Sequence, residues 1–312
     1  NFVTKDASDF IVDGETGAVR LKGTYTSNGD GALASVLWAH RFNDATELLA
    51  SGNFRRSDEF KLANGNMLSG SDFESWSGLI KGTHHIDADQ TVRLSYQRWQ
   101  SAGRNQDYAQ TGTNPLFGFT DRDVVDDTVV LTYENDASDN PWLDLNVSLS
   151  YSNTANSQYN YRPGNPPMPL PPIDDTSNTA ILRDTDYAYR TWQFKADNTF
   201  EMAGENYENH LTLGLQASHQ DRIAARPGGS AALQQHPEGT EQKLGLFAQN
   251  EFVWDNHLTV ITGARVDLHQ MRPKSSIPGS RGIDGSAFSP KIAAMYDFNE
   301  NFGLFGSIAH TE

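Results

Sequence analysis

Cysteine is absent from the sequence, and basic residues are scarce relative to acidic ones. Without a thiol the chain can build neither a disulfide framework nor a thiolate metal site. Its 24 lysine and arginine residues are set against 40 aspartate and glutamate residues, which gives a formal net charge of −16. Because recognition of a phosphate backbone needs a basic surface, nucleic acid is not an expected partner.

Long apolar runs and helical stripes are missing as well. No stretch of about 18 consecutive apolar residues occurs, so no transmembrane helix is expected. Apolar residues make up 37% of the chain and aromatic residues 11%. The apolar share lies below the roughly 45–50% of ordinary globular domains, but this many aromatic residues argue against disorder. Membrane-spanning strands fit this composition, because they give a much weaker signal per segment than helices do.

Signatures of catalysis are lacking too. The chain has no glycine-rich phosphate loop, no HExxH sequence and no nucleophile elbow. Acidic pairs such as Asp126-Asp127 and Asp174-Asp175 lack the spacing of a calcium loop. We therefore expect no enzyme, no bound metal and no cofactor.

Alternation of apolar and polar residues is the strongest pattern that is present. In WLDLNVSLSY, residues 142–151, apolar side chains occupy every second position from Leu143 to Tyr151. A period of two indicates a strand with one apolar and one polar face. Ten residues suit a tilted membrane crossing of about 9–11 residues, although a single such strand would also fit a sandwich with one wet face. Thirteen strands are predicted, at 18–27, 32–42, 47–56, 73–84, 91–100, 121–135, 142–153, 188–200, 208–220, 241–254, 257–269, 286–298 and 301–310.

The connections between these strands alternate in length. The short ones are 43–46, 85–90, 136–141, 202–207, 255–256 and 299–300. The long ones are 57–72, 101–120, 154–187, 221–240 and 270–285, and the first hairpin, around 27–31, is a short member of this second class. Outer-membrane barrels sort their connections in this way, with short periplasmic turns and long external loops. The pattern predicts an all-β fold, a transmembrane antiparallel up-and-down β-barrel.

Tryptophan residues fall near the predicted strand ends. Trp and Tyr favour the boundary between lipid and water, where one side of the ring is dry and the other wet. An aromatic belt is therefore expected from Trp38, Trp76, Trp99, Trp142, Trp192 and Trp254.

Two stretches near the end of the chain resemble the late barrel strands of TonB-dependent outer-membrane receptors. They are KLGLFAQNEFVWDNHLTVITGARVD (243–267), with Phe247, Gln249, Gly263 and Arg265 in the positions of the family's pattern, and FSPKIAAMYDFNENFGLFGSIAHTE (288–312). The opening NFVTKDASDF (1–10) is similar to the start of the barrel in the haem and haemoglobin receptor branch of this family.

The resemblance implies a barrel of about 22 strands around a plug. Residues 1–312 would then be a single partial barrel domain of about thirteen strands. The plug and the segment that contacts TonB would lie upstream, and in the haem branch a FRAP motif would follow residue 312. The implied location is the bacterial outer membrane, in contact with its lipid.

The implied activity is TonB-dependent uptake of an iron-containing ligand, haem or a siderophore. The implied partners are the TonB complex and haem, a haem protein or a siderophore, with the ligand as cargo rather than cofactor. Two alternatives remain: an ungated outer-membrane porin or channel, and a soluble all-β ligand-binding domain.

Candidate ligand contacts lie toward the long connections. Imidazole is a good axial ligand for haem iron, aromatic rings stack on planar ligands, and arginine pairs with anionic groups. The candidates are His219, His236, His269, Arg104, Tyr108, Tyr159, Tyr161 and Arg162. For each of them, a solvated histidine or simple loop packing is the alternative.

Overall fold

A computed structural model describes residues 4–107, 119–161, 184–225, 238–274 and 279–311. Apart from a short 3₁₀ turn, Ala7–Asp9, the regular elements of these residues are strands. No helix in these ranges is long and apolar enough to cross a membrane. The strands are β1 Gly17–Thr26, β2 Gly31–Asn43, β3 Thr46–Ser57, β4 Phe60–Lys61, β5 Met67–Leu68, β6 Phe73–His85, β7 Gln90–Asp107, β8 Phe119–Asp136, β9 Asp144–Tyr161, β10 Thr185–Ala203, β11 Tyr207–Ala225, β12 Gly239–Trp254, β13 Leu258–Pro273, β14 Ile283–Asn299 and β15 Phe302–Ala309.

Thirteen of these strands, all except β4 and β5, form one antiparallel sheet in which each strand pairs with the next of the thirteen along the chain. All thirteen predicted strands are confirmed in this order. The hairpin of β4 and β5, inside the connection from β3 to β6, was not predicted. Within the described residues, β1 and β15 are the two edges of the sheet and do not pair with each other.

The eight strands from β7 to β14 are 16–19 residues long. A membrane crossing needs only about 9–11 residues, so these strands continue well beyond it. The predicted long loops were therefore too long. Arg104 lies on β7 and Tyr159 on β9, whereas the sequence placed both in loops. Outside the bilayer both faces of a strand are wet, so the apolar alternation stops although the backbone ladder continues.

The predicted alternation of short and long connections is confirmed. At one end of the sheet the connections are 44–45, 86–89, 137–143, 204–206, 255–257 and 300–301. At the other end they are 27–30, 58–72, 108–118, 162–184, 226–238 and 274–282. The turn from β12 to β13 shows how a short connection is made: Asp255 and Asn256 both have positive φ, 51° and 53°. Asn and Asp tolerate this left-handed conformation better than most residues.

Residues 4–12, which we call the N-terminal segment, pack against one face of the sheet. Ala7 and Ile11 of this segment and Ala39 and Leu49 of β2 and β3 form a small buried cluster. These are the buried apolar residues of the described ranges. A two-layer sandwich would need a continuous apolar layer between two sheets, and the described residues form none. The soluble sandwich therefore does not fit this fold.

We call the face that carries the N-terminal segment the inner face of the sheet, and the opposite face the outer face. Strand pairing carries the inner face from Lys81 to Ser95, then to Val130 and Ser150. On β9 it therefore holds Asn146, Ser148 and Ser150, and the outer face holds Leu145, Val147 and Leu149. Large apolar side chains recur along the outer face and are exposed there, among them Val36, Ile80, Leu94, Leu131, Leu149, Phe194, Leu213, Leu246, Val266 and Ile292. The alternation predicted for 142–151 is confirmed.

The tryptophan residues follow the outer face with one clear exception. Trp38, Trp76 and Trp192 lie on the outer face and are exposed, as expected of an aromatic belt. Trp99 lies on the inner face, opposite Asp126 of β8. Its belt assignment was wrong, because nearness to a strand end does not tell on which face a side chain lies.

Candidate ligand-binding surface

A group of polar and aromatic side chains gathers on the inner face near the long connections. We call it the inner rim; its members are Tyr189 on β10, Arg222 on β11, Glu241 and Lys243 on β12 and His269 on β13. The antiparallel register brings them together. Tyr189 lies opposite Arg222, and Lys243 lies opposite His269. Glu241 lies opposite Gln220, two residues before Arg222 on β11.

Two cations of the inner rim share one carboxylate. Arg222 Nη2 lies 2.6 Å from Glu241 Oε2, and Lys243 Nζ lies 2.9 Å from Glu241 Oε1. The Arg222 guanidinium also lies 5.9 Å from the centre of the Tyr189 ring, within the range of a cation–π contact. Two positive charges against one negative charge leave the rim with a surplus positive charge. The Lys243 side chain, 58% exposed, is available to an anionic ligand.

His269 lies on the inner face beside Lys243, with Gly285 of β14 on its other side. A Cβ atom at position 285 would overlap the imidazole ring, so the glycine lets the ring lie against the wall. An imidazole, an exposed ammonium group and an aromatic ring thus line one stretch of the inner face. This set of groups can hold a planar or anionic ligand.

Three other predicted contacts lie on the outer face. His219 is opposite Trp192 and Gln242, with its Nε2 3.4 Å from Asp221 Oδ1. Arg104 lies at a break in the β7 register and donates to Asp123 Oδ1 at 2.7 Å. Tyr159 lies opposite Asp121 and is 46% exposed. These three side chains are separated from the inner rim by the sheet itself.

The remaining predicted contacts are not described at side-chain level. His236, Tyr108 and Arg162 lie outside the described residues. Tyr161 ends β9, but its side chain is also outside the description.

Sequence reasoning missed Tyr189, Arg222, Glu241 and Lys243 as candidates. Arg222 was assigned to a long loop, and the other three to strands with no functional role. The sequence did contain a signal for two of them. Glu241 and Lys243 alternate with outer-face residues along β12, as Gly245 does, which puts all three on the inner face. Their grouping with Arg222 could not be read from spacing, because it depends on the register between β11 and β12.

Further along the inner face, long side chains from the two stretches that resemble the family lie over glycines of the adjacent strands. Phe247, Arg265 and Lys291 lie over Gly214, Gly245 and Gly263 of neighbouring strands, where any Cβ atom would overlap them. Lys195 Nζ and Arg265 Cζ lie 6.0 Å and 5.8 Å from the centre of the Phe247 ring. The glycines and the long side chains therefore belong together, and the side chains lie along the wall.

Residues 75–312 match the protein family described as "TonB dependent receptor-like, beta-barrel". The chain belongs to this family. Its sheet is accordingly part of the wall of an outer-membrane β-barrel, with the outer face toward lipid and the inner face toward the lumen. The long connections of such a barrel lie outside the cell, and the short turns lie in the periplasm. The inner rim thus lies at the external end of the lumen.

Relatives of this TonB-dependent receptor chain include a protein named as a heme receptor and one named as a heme transporter. It is 23% identical to the "TonB-dependent heme receptor A" of Haemophilus influenzae (strain 86-028NP), over 99% of this chain and 45% of the relative. It is 22% identical to the "Heme transporter BhuA" of Brucella ovis, over 99% of this chain and 42% of the relative. The chain therefore spans a little under half the length of these relatives. Their family consists of receptors and transporters rather than enzymes.

Among solved structures, the fold is similar to that of the Serratia marcescens hemophore receptor HasR, solved as a double mutant in complex with its hemophore HasA and heme. The TM-score is 0.77 at 20% sequence identity, over 98% of this chain and 46% of that chain. The similarity supports the barrel wall assigned above.

Proposed function

We propose that this chain is the barrel portion of a receptor that takes up an iron-containing ligand across the outer membrane in a TonB-dependent step. The observation that carries the proposal is the inner rim. Its imidazole, ammonium, guanidinium and aromatic groups face the lumen near the external connections, on the route that a ligand would follow. The outer face, with its exposed apolar side chains, meets lipid in a barrel wall, so a ligand that passes through the lumen would not contact it.

Haem is the ligand that these groups fit best. His269 supplies an imidazole, which is a good axial ligand for haem iron. Lys243 and Arg222 supply charges that pair with carboxylates such as the haem propionates. The named relatives, a heme receptor and a heme transporter, support this choice. A ferric siderophore is the alternative, since anionic and aromatic siderophore groups would use the same cations and the same ring.

The receptor would be completed by parts beyond residues 1–312, which we propose to be one partial barrel domain. A plug inside the lumen and a segment that contacts the TonB complex would supply the energised step. Haem or a haem protein would arrive at the external connections, and the ligand would be cargo rather than a resident cofactor.

Two histidines on opposite faces provide a matched test. In the full-length receptor, His269→Ala is expected to weaken haem binding at least about tenfold, equivalent to roughly 1.4 kcal/mol, because it removes the proposed axial ligand of the haem iron. His219→Ala removes the same side chain from the outer face and is expected to leave affinity unchanged. Haem titration followed by absorbance, with purified receptor in detergent, measures both.

Cells that depend on haem as an iron source supply the second readout, with the outer-membrane abundance of each variant measured alongside. Equal losses for both variants, or a loss for His219→Ala alone, would contradict the inner-rim assignment. Haem uptake that persists without TonB would favour the ungated channel instead.

A further inference from the structure

The N-terminal segment carries a carboxylate that is held by three donors on two strands. Asp6 Oδ1 accepts from Lys81 Nζ at 2.6 Å and from Thr83 Oγ1 at 2.9 Å, both on β6. Asp6 Oδ2 accepts from Arg93 Nε at 2.9 Å, on β7. Lys81 Nζ donates a further hydrogen bond to the backbone oxygen of Thr4 at 2.7 Å.

The contacts of this site extend over several strands. Arg93 also pairs with Glu134 of β8, and Ser8 Oγ donates to Glu47 Oε1 of β3 at 3.1 Å. The buried cluster around Ala7 adds apolar contact with β2 and β3. The N-terminal segment thus contacts β2, β3, β6 and β7 directly, and Arg93 links this site to β8.

Lys81 makes the docked segment depend on Asp6. Its side chain is 4% exposed while the segment is docked, so removing the Asp6 carboxylate from the docked state would leave a buried ammonium group without its counter-ion. Breaking a buried pair in this way is strongly unfavourable. The Lys5–Asp9 pair of the same segment is different: its side chains are 69% and 39% exposed, and water can replace either partner.

The strand that follows the N-terminal segment is β1, which pairs with β2 along its whole length. A pull from the N-terminal side would reach β1 directly if residues 4–12 were loose. Because these residues are attached to β2, β3, β6 and β7, the load passes to these strands first.

We propose that the N-terminal segment is a fixed mechanical anchor: it stays docked on the inner wall while the chain on its N-terminal side rearranges, and it keeps that load off β1. Lys81, Thr83 and Arg93 form a carboxylate-binding site on the wall, and Asp6 of the N-terminal segment occupies it. All three lie on β6 and β7 within about five residues of the short connection 86–89, at the periplasmic end of the lumen. The role in transport rests on the proposed function, whereas the mechanical role does not.

Single-molecule pulling tests the mechanical role. The full-length receptor, embedded in a bilayer, is pulled from its N-terminus, and the force is recorded against the length of chain released. We expect a force peak at the length that ends at residues 4–12, before β1 detaches. Asp6→Asn should lower this peak, and Lys5→Ala should leave it in place. Continuous release through β1 without such a peak would overturn the proposal.

Cross-linking tests whether the anchor stays docked during transport. Ser8→Cys and Glu47→Cys are joined in the full-length receptor by a cleavable thiol-reactive linker, and haem uptake is compared with that of the same variant before linking. Retained uptake is expected. Uptake that is lost on linking and returns on cleavage would show that the segment must leave the wall, and would overturn this part of the proposal. If the unmodified receptor shows no TonB-dependent uptake, the proposed function fails, and the pulling experiment still decides the mechanical role.

Discussion

Replacing Val147 by arginine is expected to destabilise the folded state in a bilayer by about 2–4 kcal/mol, the cost of a cation on the lipid face near the midplane. Val147 lies on the outer face between Tyr133 and Ala196 of the adjacent strands. Neither neighbour offers a negative charge, so the guanidinium would have to reach the boundary between lipid and water at the expense of packing.

The matched control is Asn146→Arg, one residue away on the inner face. Asn146 lies opposite Glu134 and Asp197, which would pair with an arginine in a wet lumen. This variant is expected to change stability little. Unfolding of the full-length receptor in lipid vesicles by denaturant measures both changes. Equal costs for the two variants would mean that the two faces have been assigned wrongly.

Replacing Asp6 by alanine is expected to lower the free energy of opening the N-terminal segment by about 3 kcal/mol, because the nearly buried ammonium group of Lys81 loses its counter-ion. Lys5→Ala, which breaks the exposed pair with Asp9, should have little effect. Hydrogen exchange of the backbone amides in this segment measures the opening directly, and the amide of Phe10, which donates to the Ala7 carbonyl oxygen at 3.0 Å, is the best reporter. Similar exchange in both variants would show that the Asp6 contacts do not hold the segment.

Lowering the pH tests the Asp6 contacts in a second way. Burial raises the pKa of the Asp6 carboxyl group, but hydrogen bonds from Lys81, Arg93 and Thr83 outweigh it, so the pKa lies below its usual range. The stabilisation from these contacts is therefore fully present above the unfolded pKa of about 3.9, and it is lost as pH falls through the lower, folded pKa.

Protection of the segment, corrected for intrinsic exchange rates, should accordingly persist at a pH where ordinary aspartates begin to take up protons. Asp9, Glu47 and Glu134 are the other carboxyl groups in contact with this site. Asp6→Asn serves as the control, because it removes the Asp6 carboxyl group and leaves the other three in place. The same loss of protection in both proteins would assign the titration to another group.

The strands could be predicted because lipid imposes a pattern on sequence. Along β9, every second side chain must be apolar while it faces hydrocarbon, and Leu145, Val147 and Leu149 show it. Beyond the bilayer this constraint ends, so the continuation of β9 to Tyr161 left no comparable signal in the sequence.

The sequence contained enough information to predict on which face His219 and His269 lie, although that information was not used. His219 continues the odd-numbered apolar series of Leu213 and Leu215, which faces lipid. His269 has the opposite parity to Val266 and Leu268 and therefore faces the lumen. Counting residues along each strand would have separated the two.

Contacts between distant residues could not be predicted. Asp6 meets Arg93 across 87 residues of sequence, and Arg222 meets Glu241 across a long connection. Each contact depends on the register of several strand pairs in succession, and no local pattern fixes that register. The same holds for the glycines that make room for Phe247 and Arg265.

The most direct test of the two-faced wall is a spin-label scan along β9 of the full-length receptor in a bilayer. Single cysteines at Leu145, Asn146, Val147, Ser148, Leu149 and Ser150 are labelled, and collisions with oxygen and with a water-soluble nickel complex are measured at each. Labels at 145, 147 and 149 should collide preferentially with oxygen, and those at 146, 148 and 150 with nickel. Accessibility that does not alternate, or that alternates with the opposite phase, would contradict the lipid-facing outer wall.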